Sequence, residues 1–251
     1  MTNFTNLSEE NLNDLPVICW FSAGITSAVA TWYALRENEN CRVIFIKTGQ
    51  EQADSFRFLK ECEKHFDHEI EIYSSPKYSS AFDVWERTKY LNGVGGARCT
   101  LELKKKVRYW LEDEIVEWKA QVFGFDANEQ KRALRFSEQN PKAKGLYPLI
   151  DHLLTKENCA SIVKSWGIEL PLMYRLGFPN NNCIGCVKGG KGYWNRVREV
   201  FPETFERMAK LERQLNHSCI NGTFLDELPK DCGKLPVLVP SCGLYCDPEF
   251  L

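Results

Sequence analysis

The 251-residue chain contains no apolar run near the roughly 18 residues that a membrane-spanning helix requires, so no helical membrane span is expected. It also lacks a strong excess of either charge. Thirty-two Lys and Arg against 34 Asp and Glu leave a net −2, which excludes a globally basic nucleic-acid binder and confines any polyanion site to a local patch. There is no internal repeat and no low-complexity tract, and a composition of 43% hydrophobic and 26% charged residues is that of a folded globular protein rather than a disordered or fibrous one. At roughly 150 residues per domain, the length allows one α/β domain with an appendage, or two small domains. The opening MTNFTNLSEENLNDL is polar and acidic, unlike a signal or transit peptide, so a cytoplasmic location is expected. What the chain has in quantity is cysteine. Eleven thiols, an odd number, in a reducing compartment direct attention to metal, cluster or catalytic roles instead of disulfides.

The hydrophobic pattern alternates between strand-like and helix-like segments. Val17 to Ser22 is a short apolar run ending in Ala23 and Gly24, followed by a helix-compatible stretch from Ser27 to Glu37. Cys41 to Thr48 repeats the unit, with Gly49 as the break and Glu51 to Phe66 as an amphipathic helix. His68 to Tyr73 alternates as a third strand, Thr100 to Trp118 reads as a long charged helix, and Ala120 to Phe125 is a fourth strand before a helix over Ala127 to Phe136. This order predicts an α/β fold, an open parallel sheet doubly wound by helices with right-handed crossovers. From Lys142 the strand signals stop, and short helices (Thr155 to Trp166, Tyr193 to Val200, Pro202 to Asn216) alternate with loops. The expected organisation is a polar leader over 1–14, an α/β domain over 15–150 and a helical, Cys-bearing section over 151–251. From Asn221 onward no periodicity is left, so order there depends on docking or on ligation by thiols.

Four stretches carry chemistry. Ser22, Ala23, Gly24, Ile25, Thr26 and Ser27 lie at the carboxyl end of the first strand and the start of the first helix, where open parallel sheets bind ligands. Small residues let the backbone approach an anion, and the helix start offers free N–H groups and a positive dipole end. The competing reading is a tight turn with Thr26 or Ser27 as N-cap, and position in the first βα unit favours anion binding. Lys47, Thr48 and Gly49 end the second strand at the same sheet edge, either facing a nucleotide or merely breaking the strand. Gly124 to Arg132 closes the fourth strand and puts Glu129 and Arg132 on one helix face, where an exposed ion pair is the plain alternative to a ligand contact. Cys183 and Cys186, with Gly185 between them, can both turn toward one metal or cluster, and further thiolates must come from Cys99, Cys159, Cys232, Cys242 or Cys246. Lys104, Lys105 and Lys106 after Cys99, and Lys188 and Lys191 after Cys186, frame these thiols with positive charge that lowers thiol pKa and attracts anions.

In this order the motifs resemble the phosphoadenosine phosphosulfate (PAPS) reductase family, within the PP-loop group of adenine nucleotide alpha-hydrolase-like folds, from about Val17 to Leu211. Phe21 to Ser27 resembles the PP-loop, usually SGGxDS, and Lys47-Thr48-Gly49 stands where the family has DTG or NTG. Gly124 to Arg132 is similar to the G...E..R segment, Tyr147 to Asp151 to the nPL.DW element, and Leu176-Gly177-Phe178 with Cys183 and Cys186 to the ly..G...iGC..C element. The resemblance implies an adenine nucleotide (ATP, adenylylsulfate or PAPS) at Ser22 to Ser27, Lys47 to Gly49, Gly124, Glu129 and Arg132. It further implies oxidoreductase or sulfurtransferase chemistry and an electron- or sulfur-donor protein as partner. Nucleic acid and magnesium are left open.

Two departures bear on mechanism. Thr26 replaces the Asp that helps hold magnesium in ATP-cleaving members, and Ala23 replaces the second Gly, which favours a nucleotide bound without attack on its α-phosphate. Cys99 stands alone where cluster-bearing adenylylsulfate reductases have two adjacent Cys, leaving Cys99, Cys183 and Cys186 for an iron–sulfur centre, 4Fe–4S by preference, or for zinc. Ser241-Cys242-Gly243-Leu244 resembles the family's ECGLH tail, whose Cys attacks the sulfonate sulfur, with Ser241 for Glu and Tyr245 for His; a structural pair of Cys242 and Cys246 is the alternative. Two other functions stay in view: an ATP-dependent thiolating enzyme related to DNA phosphorothioation proteins, and a catalytically lapsed nucleotide-binding interaction protein.

Overall fold

The computed structural model describes residues 14–236 and 238. Its centre is a five-stranded sheet in the order β3-β2-β1-β4-β5, with every neighbouring pair parallel. The strands are β1 (Val17–Phe21), β2 (Cys41–Lys47), β3 (Ile70–Ser74), β4 (Ala120–Val122) and β5 (Gly145–Leu146). The expected α/β class and doubly wound parallel sheet are what the chain forms. Strand order reverses between β1 and β4, and the crevice at such a switch point is where open sheets receive ligands.

Alternation along β1 explains the layers. Val17, Cys19 and Phe21 face one side, in a core shared with α1 (Ile25–Glu37), α2 (Asp54–Phe66) and α8 (Lys156–Ser165), whereas Ile18 and Trp20 face Val107 and Leu111 of α5 (Lys106–Ile115). Helix α1 is buried on nearly all sides, by Ile25, Ala28, Val29, Ala30 and Ala34 among others, because it is sandwiched between the sheet and α8; its small residues let both neighbours approach. A second core gathers α3 (Ala81–Thr88), the stretch around Cys99 in α4 (Arg98–Thr100), α9 (Leu172–Arg175), α10 (Lys191–Val200) and α11 (Pro202–Leu215).

Several expectations need adjusting. β4 stops at Val122 instead of Phe125: the Phe123 N–H still bonds the Leu146 carbonyl of β5, but the Phe125 N–H turns back onto the Phe123 carbonyl and leaves the ladder. Strand signals were expected to end at Lys142, yet the two residues Gly145 and Leu146 form β5, too short a pair to show periodicity. Between β3 and the long charged helix lies α3, whose amphipathic octet is capped by the Ser80 hydroxyl accepting from the Asp83 N–H. That long helix is α4 running through a π-helical stretch, Leu101–Lys105, into α5, and it ends at Val116, whose φ of +65° stops it before Trp118. The cores also do not part at 150/151. Leu154, Cys159, Ile162 and Leu170, from beyond residue 150, belong to the sheet core, while Tyr78, Phe82, Trp85 and Leu103, from the first half of the chain, belong to the second. Among the described residues no helix is long and apolar enough to cross a membrane.

Candidate nucleotide and thiol site

The first loop is built around one buried hydroxyl. Ser27 Oγ accepts from the Ser22 N–H (3.0 Å), lies 3.0 Å from Ser22 Oγ and donates to the Gly24 carbonyl (2.8 Å), closing the turn between β1 and α1. Ser27 is thus a builder of the loop, and Ser22, which is exposed, is its outward hydroxyl. Ala23 sits at φ +55°, the left-handed region that glycine would occupy freely, and its carbonyl is held by the Asn181 amide at 2.7 Å. The cap of α1 is Gly24, with no side-chain cap bond, and the first turn has no acidic residue, so no carboxylate on the turn itself repels an anion. Tyr174 lies beneath. The N–H groups of Ile25 and Asn181 hold its hydroxyl oxygen, and burial pushes its pKa up to about 12, so it stays a neutral phenol. Gly124 presses on the same turn: a Cβ there would lie 2.7 Å from the Ser27 nitrogen.

A cavity of about 240 Å³ opens at the carboxyl ends of β1, β2 and β4. Trp20, Ile44, Ile46 and Phe123 give it apolar walls, Ser22 stands at one side, and Lys104, Lys105 and Arg108 come from the helix that crosses it. Arg108 is the most strongly oriented of the three. A half-buried chain of hydrogen bonds runs from Trp20 Nε1 to Gln121 (2.8 Å) and from the Gln121 amide to Glu112 (2.9 Å); Glu112 forms an ion pair with Arg108 across 3.3 Å, and Arg108 Nη2 donates to Asn140 at 3.0 Å. Lys106 turns away to pair with buried Glu102 at 2.8 Å. Arg108, Gln121, Tyr174 and Asn181 were not among the expected site residues. Of these, only Gln121 carried a signal in the sequence, as a polar residue in the middle of the apolar strand β4.

The other expected residues divide. Thr48 is buried at the cavity's edge, its N–H and hydroxyl donating to Glu51 Oε1 at 2.6 and 2.5 Å, and its Oγ1 lies 3.1 Å from the Cys183 sulfur. Gly49, at φ +71°, packs so closely on Ser79 that a Cβ would collide with the Ser79 carbonyl. Lys47 extends over the Phe56 ring, 5.6 Å from its centroid. Glu129 closes a capping box with Asp126, and Arg132 pairs with Glu129 while lying over Phe125 at 4.7 Å. Of the residues expected to hold a nucleotide, Ser22 is the one that lines the cavity; the rest of the loop, Lys47 to Gly49, Gly124, Glu129 and Arg132 do not.

Cys183 does line it. The turn from Cys183 to Cys186 is closed by the Tyr193 hydroxyl, which donates to the Cys183 carbonyl (2.9 Å) and accepts from the Cys186 N–H (2.9 Å), with Gly185 at φ +78°. The N–H of Ile184 bonds the Gln50 carbonyl at 2.9 Å, tying this turn to the end of β2. Burial raises the Cys183 thiol, opposed by Lys104 and by the Thr48 hydroxyl; burial, with Cys186 and Cys183 nearby, pushes Cys99 up to about 11. The donor chemistry, three soft sulfurs in one neighbourhood, suits iron–sulfur or zinc. Their spacing does not: among the described residues no group of three or more His, Cys, Asp or Glu side chains is placed to hold a metal ion. Cys242 and Cys246 lie outside the described residues.

Comparison with known proteins bears on this arrangement. A family model described as the phosphoadenosine phosphosulfate reductase domain matches residues 16–192. An uncharacterized protein of Methanocaldococcus jannaschii is 25% identical over 215 residues, which cover 78% of this chain and 47% of that protein, so the chain spans about half the length of this curated relative. Among solved structures, the crystal structure of phosphoadenylyl-sulfate (PAPS) reductase from Candida auris, a phosphate complex, matches with a TM-score of 0.49 and 13% identity, over 69% of this chain and 94% of that one.

Proposed function

Because the chain belongs to the phosphoadenosine phosphosulfate reductase domain family, we propose that its cavity binds an adenine nucleotide or sulfonucleotide, with the phosphate or sulfonate end on the loop Ser22 to Ser27. One observation carries this reading: Ser22, the outward hydroxyl of the loop, and three cations, Lys104, Lys105 and Arg108, line one cavity at the switch point of the sheet, against a single carboxylate, Glu51, which is already bonded to Thr48. The apolar walls suit a base, and the loop and cations suit oxyanions at its other end. Calorimetry with ATP, adenylylsulfate and PAPS tests it. Gly24→Val should weaken binding, since a Cβ at 24 is already in van der Waals contact with Ser22 Oγ and Tyr174 Oη at 3.5 Å and the two γ-methyls of valine extend beyond it into the loop. Unchanged affinity for all three ligands would place the site elsewhere. Arg108→Lys should cost about tenfold in affinity, because Lys cannot reproduce the planar grip. Glu129 and Arg132 would join the site only by moving toward the ligand, and wild-type affinity in Arg132→Lys would leave them a surface pair.

The chemistry we assign is sulfur handling by thiols. In this reading the Cys242 thiolate attacks the sulfonate sulfur, forming a sulfur–sulfur bond as the sulfur–oxygen bond to the nucleotide breaks. A thiol of a donor protein then attacks the Cys242 sulfur and releases sulfite, leaving a disulfide that holds the two electrons' worth of oxidation. Leu238, four residues before Cys242, packs beside Tyr174, under the first loop. A Cys242→Ser variant that still releases sulfite would return Cys242 and Cys246 to a structural role. An iron–sulfur or zinc centre at Cys99, Cys183 and Cys186 would rest on donor chemistry alone, since among the described residues no group of three or more such side chains is placed to hold a metal ion. The ATP-dependent thiolating alternative predicts magnesium-dependent pyrophosphate release, which Thr26 in place of an Asp disfavours.

A further inference from the structure

We propose that Cys183 and Cys186 act as a free dithiol and not as metal ligands, with Cys183 the cavity's own nucleophile toward a sulfonate-bearing sulfur and Cys186 the thiol that resolves it. The inference rests on the sulfonucleotide reading above and goes beyond it, since it lets the chain itself supply the second thiol that releases sulfite.

Three soft sulfurs share one neighbourhood, yet among the described residues no group of three or more His, Cys, Asp or Glu side chains is placed to hold a metal ion. What the fold gives Cys183 instead is a path for its proton. Thr48 Oγ1 lies 3.1 Å from the Cys183 sulfur, and the Thr48 hydroxyl and N–H both meet Glu51 Oε1, at 2.5 and 2.6 Å. A hydroxyl has one proton, and a carboxylate has none to give. Thr48 therefore donates to Glu51 and accepts from the thiol. The Gln50 N–H, 3.2 Å from Glu51 Oε2, fixes the carboxylate further. Thiol, hydroxyl and carboxylate thus stand in the order of a nucleophile, a relay and a base. Glu51 and Cys183 both line the cavity, buried Thr48 joins them, and Lys104 on the same wall favours the thiolate against the cost of burial.

The resolving thiol is close by. Cys186 is near enough for its charge to oppose ionisation of Cys183, and the Tyr193 hydroxyl clamps both ends of the turn that carries the pair. The tail is also within reach. Leu238 packs beside Tyr174, whose hydroxyl takes the N–H of Asn181, two residues before Cys183; Cys242 follows Leu238 by four residues, which span at most about 14 Å. In the step we assign, the Cys183 proton passes through Thr48 to Glu51 as the sulfur attacks Cys242 Sγ in its S-sulfonate. A disulfide forms between Cys183 and Cys242, and the bond to the sulfonate breaks with its electron pair leaving on sulfite. The Cys186 thiolate then attacks the Cys183 sulfur, and Cys242 leaves as a thiolate and takes up a proton. Over both steps the dithiol gives up two electrons and two protons, and the S-sulfonate becomes thiol and sulfite. The donor protein's thiols then reduce the disulfide for the next turnover.

The test uses the full chain, reduced, freed of small thiols and kept anaerobic, with zinc and iron measured beforehand. Mixed with adenylylsulfate or PAPS and no added thiol, the wild type should release about one sulfite per chain and carry a disulfide between Cys183 and Cys186 by peptide mapping. Cys183→Ser should hold the sulfonate on Cys242 and release none, and Cys186→Ser should release sulfite but stop at the disulfide between Cys183 and Cys242. Sulfite at the wild-type rate from Cys183→Ser, a disulfide to Cys99 or Cys219 instead, or stoichiometric zinc or iron that Cys183→Ser loses would overturn the proposal. S-sulfoglutathione, offered to Cys242→Ser, separates the dithiol from the nucleotide reading. Sulfite from it, with none from either nucleotide in the wild type, would keep the dithiol and remove the sulfonucleotide; none from S-sulfoglutathione would remove the dithiol. Adding Thr48→Val keeps both thiols and should slow this release about 100-fold, as loss of a positioned proton acceptor does. An unchanged rate would remove Thr48 and Glu51 from the proposal.

Discussion

The two cores of this protein are made of different material. The sheet core is Val, Ile, Ala and Phe on regular elements, and its parts lie mostly in chain order. The thiol-bearing core is rich in aromatic rings (Tyr78, Phe82, Trp85, Phe178, Tyr193, Trp194 and Phe205) and joins residues 78–103 to residues 173–228 across the whole sheet domain. Hydrogen bonds reflect the same contrast. Parallel ladders carry the first, while side chains reaching to distant carbonyls, Asn92, Asn195 and Arg198 among them, carry the second. The difference teaches where each half of the site comes from. The rigid sheet presents the loop and cavity for an anion, and the side-chain-bonded region brings sulfur to its rim.

If that division holds, glycines at close approaches should fail differently in the two regions. Gly49→Ala should be the most damaging, costing about 4 kcal/mol in urea denaturation, since it combines a left-handed φ of +71° with a collision against the Ser79 carbonyl. Gly124→Ala should cost about 2 kcal/mol and at least about tenfold in nucleotide affinity, because a Cβ there pushes on Ser27 and Thr26; stability lost with affinity intact would detach the loop from the ligand. A smaller effect is expected at Asp54, which receives the Leu172 N–H at 2.7 Å and pairs with Arg57, linking α2 to the segment that precedes the thiols.

Arg57 and that N–H hold the Asp54 carboxyl below the usual range, so its folded pKa lies under its unfolded one. Its contribution is then fully present above the unfolded value of about 3.9 and is lost as pH falls through the folded pKa. Asp54→Asn should therefore lose about 1–2 kcal/mol at neutral pH and show a flatter acid limb in pH-dependent melts. An unchanged limb would show that the bridge does not stabilise the fold. Gly192→Ala, in the other region, should act locally. A Cβ there meets the Lys234 backbone at 2.5 Å, so the 233–235 segment should detach and become open to limited proteolysis at a cost of about 1 kcal/mol, with nucleotide affinity kept. Ala23→Gly should be the mildest and of opposite sign, stabilising by roughly 0.5 kcal/mol by relieving a φ of +55°, less the entropy glycine loses on folding.

Periodicity and punctuation determined much of this protein by themselves. A strand's two-residue alternation and a helix's 3.6-residue repeat are local, so the first four strands, the helices after β1, β2 and β4 and the turn between β1 and α1 were legible, whereas the short helix α3 after β3 was not. The PP-loop departure at Ala23 was visible too, but not that Asn181 would hold it in the left-handed region, 158 positions away. Tertiary structure alone decided the rest: that Arg108 lines the cavity while held by Glu112 and Asn140, that Lys106 turns from it, that α3 joins a core with α10 and α11, and that Asn92 ties the Cys219 carbonyl to that of Val187, next to Cys186. No local pattern encodes these, because each depends on a hydrogen bond or a packed ring between residues whose separation along the chain carries no period.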